Sequence, residues 1–446
     1  MPADSHGDPT DDAIDDAIDD GTDDATDDAI ELLLAGRYPD PETGELLTAE
    51  TKAVVVADSL DGREVELATA MGLGPRLAVV SDRNTHAAMG ARVERALAST
   101  FAVQSVVIPA PHADAVTVAQ LAAQLVPDTS AVVTVGSGTL NDVCKMVAFE
   151  RGIPQVVFAT APSMNGYTSV SASIARDGVK RSYRTRTPAG VYFDLSVIAA
   201  APTRLIRAGL GDSVARSTAQ ADWLLSHLLL DRPYREVPFA LLAADEQQLV
   251  ADPAALVAGD RHALRALVRT LVLSGFGMTL SGGSFPASQG EHLLGHYLEM
   301  IHPLDVLHGE QVGVCTIAMA DLQERLLGWS RPPVLRPSTI SRGELQRAYG
   351  DDAGLACWSE YEKKRVDERR AEELNARLSV QWDAIRARIN AIAIGADRIR
   401  ATLAAAGAAT SPPALGYTDA EMALALTHAR VLRDRYTFLD LAADAT

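Results

Sequence analysis

Three histidines and one aspartate have the residue types and spacing that could support metal chemistry. His292 and His296 lie four residues apart in SQGEHLLGHYLEM (288–300), so a helix would place them on one face. His308 follows in HGEQVG, and Asp212 lies in AGLGDSVAR. Two imidazoles and a carboxylate can bind a divalent metal and leave one position open. Each also has an ordinary alternative, because helical histidines often only pack, and Asp212 could be the N-cap of the helix that follows.

A glycine-containing segment, AVVTVGSGTLNDVCK (131–145), has a buried-strand pattern followed by Gly136-Ser137-Gly138-Thr139 and a helical pattern. Glycines after a strand allow close approach of a phosphate, and the free N–H groups of a helix N-terminus can bind it. The third glycine of the GxGxxG fingerprint is missing, so a plain tight turn is an equal alternative. Asp82 ends an earlier strand and could bind an adenosine ribose or cap the helix that starts at Asn84. Its neighbour Arg83 would soften a preference for NAD over NADP.

A second polar loop, in FATAPSMNGYTSVSAS (158–173), also follows a strand pattern. Its hydroxyl side chains could bind a ligand, but capping and turn formation are the more ordinary roles; they are Ser163, Thr168, Ser169 and Ser171. The chain contains no G-x-S-x-G elbow, so the sequence gives no support for a hydrolase triad.

The elements that must position these residues fall into two halves. Short β-branched runs alternate with helical patterns from about residue 50 to 200, and they lie at 52–58, 76–82, 104–110, 131–136 and 154–160. This alternation predicts βαβ units and a mainly parallel sheet. Helical spacing dominates after Pro202. We therefore predict a Rossmann-like domain at 31–201 and an all-α domain at 202–446, with the ligand site in the cleft between them.

The composition restricts the class of protein. Twelve aspartates lie in residues 1–30, which contain no Lys, Arg or Glu, so the rest of the chain carries −7 of the net charge of −19. This segment repeats DDAI-like units and predicts a disordered tail rather than a calcium loop. The mild acidity elsewhere predicts no nucleic-acid or membrane partner. No apolar run reaches about 18 residues and no signal peptide is evident, which predicts a cytoplasmic protein.

Six motifs in this order resemble the glycerol-1-phosphate dehydrogenase family, within the iron-containing alcohol dehydrogenase and dehydroquinate synthase-like superfamily. The resemblance covers about residues 31–440, and the motifs are GSGTLNDVCK (136–145), TAPSMNGYTS (160–169), AGLGD (208–212), ADWLL (221–225), GEHLLGHYLEM (290–300) and HGEQVG (308–313). It implies an N-terminal Rossmann-like domain and a helical C-terminal domain with the active site between them. It also implies a homo-oligomer and a small phosphorylated substrate.

The resemblance assigns roles to individual residues. Asp212, His292 and His308 would be the divalent metal ligands, with zinc favoured over nickel or iron. His296, Asn165 and Asp212 would contact substrate, and Asp212 and His296 would be catalytic. NAD or NADP would be bound by the glycine loop, by the nicotinamide-side loop and by Asp82; the residues are Gly136, Ser137, Gly138, Thr139, Leu140, Thr160, Ala161, Pro162, Ser163 and Ser169. The implied reaction interconverts dihydroxyacetone phosphate and sn-glycerol 1-phosphate.

Two positions depart from the family pattern. Asn165 stands where the family has the substrate-binding aspartate of SMDGY, and Arg216 stands where it usually has lysine. The first change keeps open a dehydrogenase of another small phosphorylated alcohol or ketone. A lyase or cyclase like dehydroquinate synthase is a further alternative, but it should need more lysines than Lys145 and Lys180 between the glycine loop and Asp212.

Overall fold

A six-stranded parallel sheet forms the first half of the protein, in a computed structural model that describes residues 28–176 and 179–445. The ten strands are β1 (Tyr38–Pro39), β2 (Leu46–Leu47), β3 (Ala53–Ala57), β4 (Arg76–Asp82), β5 (Ala102–Ile108), β6 (Ala131–Gly136), β7 (Gln155–Ala159), β8 (Ser171–Arg176), β9 (Val179–Arg184) and β10 (Gly190–Asp194). The large sheet has the order β3-β10-β7-β6-β4-β5, and all its neighbours are parallel. The predicted parallel sheet is therefore confirmed.

Two antiparallel pairs lie outside the large sheet. β1 pairs with β2, and β8 pairs with β9 as a hairpin. The hairpin extends over the carboxyl end of the sheet, where Lys180 and Ser182 of β9 line the cleft described below. The strand order reverses between β4 and β6, and such a switch point opens a ligand crevice at the carboxyl ends of the strands.

Among the described residues, seven helices belong to the sheet half. They are α1 (Ala29–Leu34), α2 (Glu64–Ala70), α3 (Arg83–Thr85), α4 (Ala91–Leu97), α5 (Ala115–Gln124), α6 (Gly138–Arg151) and α7 (Leu195–Ala199), with a turn of π-helix at His86–Gly90. Alternate strand residues pack on opposite faces of the sheet: Val80 and Val132 contact the layer of α5 and α6, and Val79 and Val133 contact the layer of α2 and α4.

Helices make up the second half, starting directly after Pro202. They are α8 (Thr203–Val214), α9 (Arg216–Leu230), α10 (Val237–Ala240), α11 (Ala243–Ala251), α12 (Pro253–Val257), α13 (Arg261–Leu280), α14 (Gly290–Ile301), α15 (His308–Leu327), α16 (Arg342–Tyr349), α17 (Asp351–Tyr361), α18 (Glu368–Asn390), α19 (Ala396–Ala405), α20 (Asp419–His428) and α21 (Phe438–Asp444), with 3₁₀ turns at Pro412–Leu415 and Ala429–Leu432. The change from strands to helices thus falls where the sequence analysis divides the chain.

One helix, α13, is long and apolar enough to cross a membrane by length and composition alone. Two thirds of it (67%) is buried inside the protein, and it packs on the sheet half and on α8. A core helix passes the same test of length and composition, and this burial is what a core position requires.

The described chain begins earlier than the sequence analysis predicts. Asp28 caps α1 by accepting a hydrogen bond from the Ile30 N–H at 2.8 Å, and it pairs with Arg269 at 2.5 Å. Ile30 is buried in the core because α1 packs against the sheet half. The predicted tail at 1–30 therefore extends three residues too far. Residues 1–27, which carry most of the predicted disorder, lie outside the described residues.

Candidate active site

Three of the four candidate metal-site residues lie close together, each on a different helix. Asp212 lies near the end of α8, His292 in the first turn of α14, and His308 is the first residue of α15. Asp212 Oδ1 is 3.7 Å from His292 Nε2 and 3.9 Å from His308 Nε2. Ligand atoms of all three lie within 4.8 Å of one another, which is the spacing that a single ion would bridge. Asp212 lies inside α8, so the alternative of an N-cap for α9 is wrong.

The burial, hydrogen bonding and protonation of these side chains suit the binding of a cation. Asp212 Oδ1 is buried and has no hydrogen-bond partner among the described residues, while Oδ2 accepts from the Asn165 N–H at 2.8 Å. Burial raises the pKa of Asp212, and a neighbouring cation would compensate for this desolvation. Burial, and then the positive charge of Lys180, hold the pKa of His308 well below its usual range, so a neutral imidazole is available as a ligand.

Glycines allow the ligand-bearing helices to approach. A Cβ added at Gly211 of α8 would overlap the carbonyl oxygen of Gly309 in α15, and one added at Gly309 would overlap the carbonyl of Ala208. The two helices therefore contact each other through main-chain atoms. This contact explains why glycines flank Asp212 and His308 in AGLGD and HGEQVG, because side chains there would separate the metal ligands.

Glu291 orients His292 from behind. Its Oε1 lies 2.9 Å from His292 Nδ1 and accepts from the Gln289 N–H at 2.7 Å. With Nδ1 held by this carboxylate, Nε2 faces Asp212. Buried Asp222 fixes the start of α14 by accepting from the Gly290 N–H at 2.9 Å, and burial together with the charge of Glu291 raises the pKa of Asp222 to about 8. A carboxylate behind a histidine ligand fixes the ring and raises its basicity.

His296 lies beside the cluster but is not part of it. Its ring centroid is 6.3 Å from that of His292 and 6.4 Å from that of His308. Its Nε2 accepts a hydrogen bond from Arg433 Nη2 at 3.2 Å. Burial, and then the positive charge of Arg433, keep the pKa of His296 well below its usual range, so the ring is neutral at pH 7. A neutral imidazole can accept a proton from a bound hydroxyl.

The glycine loop forms the opposite wall of the cleft. Gly136 ends β6, and Ser137 precedes α6 without a side-chain cap, which leaves the N–H groups of this helix available for an anion. A Cβ at Gly138 would lie 2.7 Å from Met164 Sδ, so a side chain there would have to displace Met164 and would cover part of the loop surface. Leu140 packs in the core, and a Cβ at Gly136 would overlap it. Leu140 can therefore reach a cofactor only through its backbone.

Asp82 is the cap that one alternative predicted. Its Oδ1 accepts from the N–H groups of Asn84 and Thr85 at 2.7 and 2.9 Å. The register of β4 with β6 pairs Val80 with Thr134, so Asp82 ends its strand level with Gly136. Both bonds use Oδ1, so capping does not remove Asp82 from the edge of the sheet where a ribose would lie.

The loop that follows β7 contains the predicted nicotinamide contacts, and hydrogen bonds join it to both halves of the protein. The Lys145 ammonium donates to the carbonyls of Gly166, Ser169 and Ser171 at 2.7–3.2 Å, and the Asn165 N–H reaches Asp212. Of the predicted cofactor residues, five line the cleft, namely Ser137, Gly138, Thr139, Ser163 and Ser169. The others lie beside or behind this surface, namely Asp82, Gly136, Leu140, Thr160, Ala161 and Pro162.

The cleft has a volume of about 200 Å³ and brings the metal cluster, the glycine loop, Asn165 and His296 to one surface. Arg216 faces away from it, since its guanidinium pairs with Glu246 and donates to Gln220 at 2.9 Å. Lys180 and Arg433 also line the cleft, and the sequence analysis missed both as site residues. The dense arginines of RVLRDRYT (430–437) were the available signal, but nothing in the sequence placed that segment near α14.

Comparisons with known proteins show which family the sequence resembles. The sequence profile of the family described as iron-containing alcohol dehydrogenase matches residues 55–202. The chain is 33% identical to the glycerol-1-phosphate dehydrogenase (NAD(P)+) of Pyrococcus furiosus over 273 residues, which is 61% of this chain and 78% of that protein. It is 31% identical to the protein of the same name from Geobacillus stearothermophilus over 379 residues, which is 82% of this chain and 85% of that one.

Solved structures share the fold. An archaeal halo-thermophilic alcohol dehydrogenase from a Red Sea brine pool gives a TM-score of 0.57 at 14% identity, covering 90% of this chain and 94% of that one. Sulfoacetaldehyde reductase from Bifidobacterium kashiwanohense, solved with NAD+, gives 0.55 at 16% identity, covering 88% and 96%. Identities this low speak to the fold alone.

Proposed function

Because this chain belongs to the glycerol-1-phosphate dehydrogenase family, we propose that it interconverts dihydroxyacetone phosphate and sn-glycerol 1-phosphate with NAD(P) and one divalent metal ion. The observation that carries the proposal is the cluster of Asp212, His292 and His308, which faces the open N-terminus of α6 across a single cleft. Metal-assisted hydride transfer to a ketone needs the nicotinamide at the carbonyl carbon and the metal at the carbonyl oxygen of the same group. A cleft between a cofactor-binding loop and a metal cluster can hold the nicotinamide and the substrate in this arrangement.

The metal would be held by Asp212, His292 and His308, with zinc favoured and nickel or iron also suited to one carboxylate and two imidazoles. Bound there, a divalent cation supplies Lewis-acid polarisation of the substrate oxygen. Asp212 also positions the loop that contains Asn165. Its Oδ2 accepts a hydrogen bond from the Asn165 N–H and so keeps this loop against the metal ligands.

The cofactor would lie on the glycine loop, with the N–H groups after Ser137 binding the pyrophosphate and Ser163 and Ser169 nearest the nicotinamide. When bound, the nicotinamide ring supplies or accepts the hydride. Asp82, level with Gly136, would bind the ribose and favour NAD over NADP. A comparison of kcat/KM for NADH and NADPH tests this preference.

Two residues would act on the substrate directly. Asn165 lines the cleft and offers both an acceptor oxygen and a donor nitrogen to substrate hydroxyls. His296 is neutral, so its Nε2 can take the hydroxyl proton when the alcohol is oxidised, once substrate replaces Arg433 as its partner, and return it when the ketone is reduced. The cytoplasmic location, the homo-oligomer and the domain division at 201/202 belong to the same proposal.

The direct test follows NADH and NADPH absorbance with dihydroxyacetone phosphate, before and after chelation and metal return. We expect turnover, its loss on chelation and its recovery with zinc. Turnover of a different phosphorylated ketone only, or consumption of a sugar-phosphate acid without net NADH change, would favour the alternative dehydrogenase or the dehydroquinate synthase-like reaction.

Site variants test the assignment of ligands. His292→Ala and His308→Ala should lose most bound metal and most turnover, whereas His296→Ala should keep the metal and lose turnover. His262→Ala, at an exposed position of α13, is the matched control. Unchanged metal content in both ligand variants would overturn the assignment.

A further inference from the structure

Two arginines on either side of Asp434, Arg433 and Arg435, line the interior of the protein, and the described residues place no carboxylate in an ion pair with either. Arg433 donates to His296 Nε2 at 3.2 Å and to Ser288 Oγ at 3.4 Å. Arg435 donates to Ser284, at 2.8 Å to its hydroxyl and 3.3 Å to its carbonyl oxygen. Within the described part of the chain, neither guanidinium forms an ion pair with a carboxylate. Both therefore keep N–H donors that their neutral partners do not satisfy.

The electrostatics of this pair call for an anion. Burial lowers the pKa of both arginines, that of Arg435 to about 9, and the positive charge of Arg433 adds to the effect at Arg435. Buried charges are normally paired, because an isolated ion loses its hydration without compensation. A bound anion would restore that compensation for both side chains at once.

The arginines line a cavity of about 390 Å³ that adjoins the metal cleft. Lys180, His296 and Arg433 line both spaces, so the two adjoin at these side chains. Lys180 and Arg181 of β9 add two further positive charges from the facing wall.

The acidic residues of this cavity are already engaged by cations. Glu299 lies 3.9 Å from Lys180, Glu360 3.0 Å from Lys363, and Asp434 3.8 Å from Arg232. Each of these carboxylates thus forms its ion pair with a cation other than the two arginines, which are offset by the more distant charges of Asp434 and Glu291.

We propose that Arg433, Arg435 and Lys180 form the subsite that binds the phosphate group of the substrate. The assignment rests on the proposed function and extends it. Arg433 contacts His296, which lies beside the metal ligands. A substrate whose ketone oxygen lies at the metal cluster could therefore extend its phosphate group towards the arginines. Guanidinium groups match phosphate oxygens with two parallel N–H donors, which a lysine cannot do alone. The subsite would select phosphorylated three-carbon ketones over the free ketone.

Arg435→Gln is the decisive variant, because Arg435 has no hydrogen bond to His296 and the change leaves the proposed proton acceptor intact. With metal-loaded full-length protein, we expect KM for dihydroxyacetone phosphate to rise about 10- to 100-fold with a smaller change in kcat. kcat/KM for unphosphorylated dihydroxyacetone, measured in parallel, should stay within twofold. The control is Arg369→Gln, which removes the same charge from an exposed pair with Glu373. Equal losses for the two substrates, or no loss for either, would overturn the subsite.

A binding measurement separates this proposal from the proposed function. Calorimetry with inorganic phosphate and the metal-loaded protein should give a heat of binding that Arg433→Gln and Arg435→Gln each weaken at least tenfold, while both keep the parent's metal content. If the parent binds phosphate in this way but does not reduce dihydroxyacetone phosphate, the subsite stands and the proposed reaction falls. If the parent binds no phosphate, or both variants bind it like the parent, the subsite is overturned whatever the reaction.

Discussion

Replacing Glu291 by glutamine should weaken metal binding although Glu291 is not a ligand. The carboxylate lies 2.9 Å from His292 Nδ1, on the side of the ring opposite Nε2, which faces Asp212. A carboxylate in this position makes the imidazole a stronger donor and holds its orientation. Glutamine keeps the shape and one acceptor oxygen, so Glu291→Gln removes the negative charge while a neutral hydrogen bond to Nδ1 remains possible.

The expected loss of metal affinity depends on the neutral hydrogen bond that glutamine can still make with His292 Nδ1. Loss of such an outer partner typically costs about 10- to 100-fold in metal affinity. A neutral acceptor gives roughly half the strength of a charged one, so the lower end applies and we expect about a tenfold rise in Kd for zinc, or about 1.4 kcal/mol. The fold should survive, because the glutamine oxygen can still accept from the Gln289 N–H. The variant also relieves the repulsion that raises the pKa of Asp222.

The assay is competition for zinc against a chromophoric chelator, together with the thermal midpoint of the metal-free protein. Glu373→Gln, an exposed glutamate paired with Arg369, is the matched control and should change neither value. A zinc Kd of Glu291→Gln within twofold of the parent would refute the reasoning. So would a loss of zinc that merely follows a large drop in the metal-free midpoint, since the effect would then be one of folding.

Three further changes test other parts of the structure. Gly138→Val should weaken NADH binding by at least tenfold in a fluorescence titration, because a branched side chain would occupy the loop surface beside Met164; equal affinity would show that the loop is only a turn. Asn165→Asp should raise kcat/KM for dihydroxyacetone phosphate about tenfold or more and Asn165→Ala should lower it, and no change in either would remove Asn165 from the substrate site. Deleting 1–27 should leave turnover and thermal midpoint unchanged, whereas deleting 1–30 should lower the midpoint by removing the Asp28 cap and buried Ile30; equal midpoints would contradict this reasoning.

The central strands β4, β6 and β7 were predictable from sequence because they are buried on both faces. Continuous β-branched runs mark β4 and β6 at their observed bounds, since short apolar runs are typical of buried parallel strands. The hairpin of β8 and β9 was missed because serines and arginines interrupt its apolar residues. β10, in GVYFD, was missed because the run is short and lacks the βα alternation that revealed the others.

The site was predictable only in part, and for a physical reason. His292 and His296 are one helical turn apart, so their shared face follows from local geometry. The approach of Asp212 and His308 depends on helix packing between segments far apart in sequence, and only the resemblance to a family brought them together beforehand. Arg433 shows the remaining gap, since a 3₁₀ turn near the end of the chain delivers it to α14 and no periodicity encodes that contact.

The main-chain contact between α8 and α15 also bears on when the protein acquires its metal. Because Gly211 and Gly309 let α8 and α15 meet through main-chain atoms, the separation of Asp212 and His308 depends on the packing of these two helices. Small metal-dependent domains differ, since there the binding free energy is what folds the chain. Here the contact between the two helices would hold them together when a chelator removes the ion. A helix pair that keeps its shape without the ion would accept any divalent cation that suits one carboxylate and two imidazoles, so the supply of ions would decide which one the protein carries.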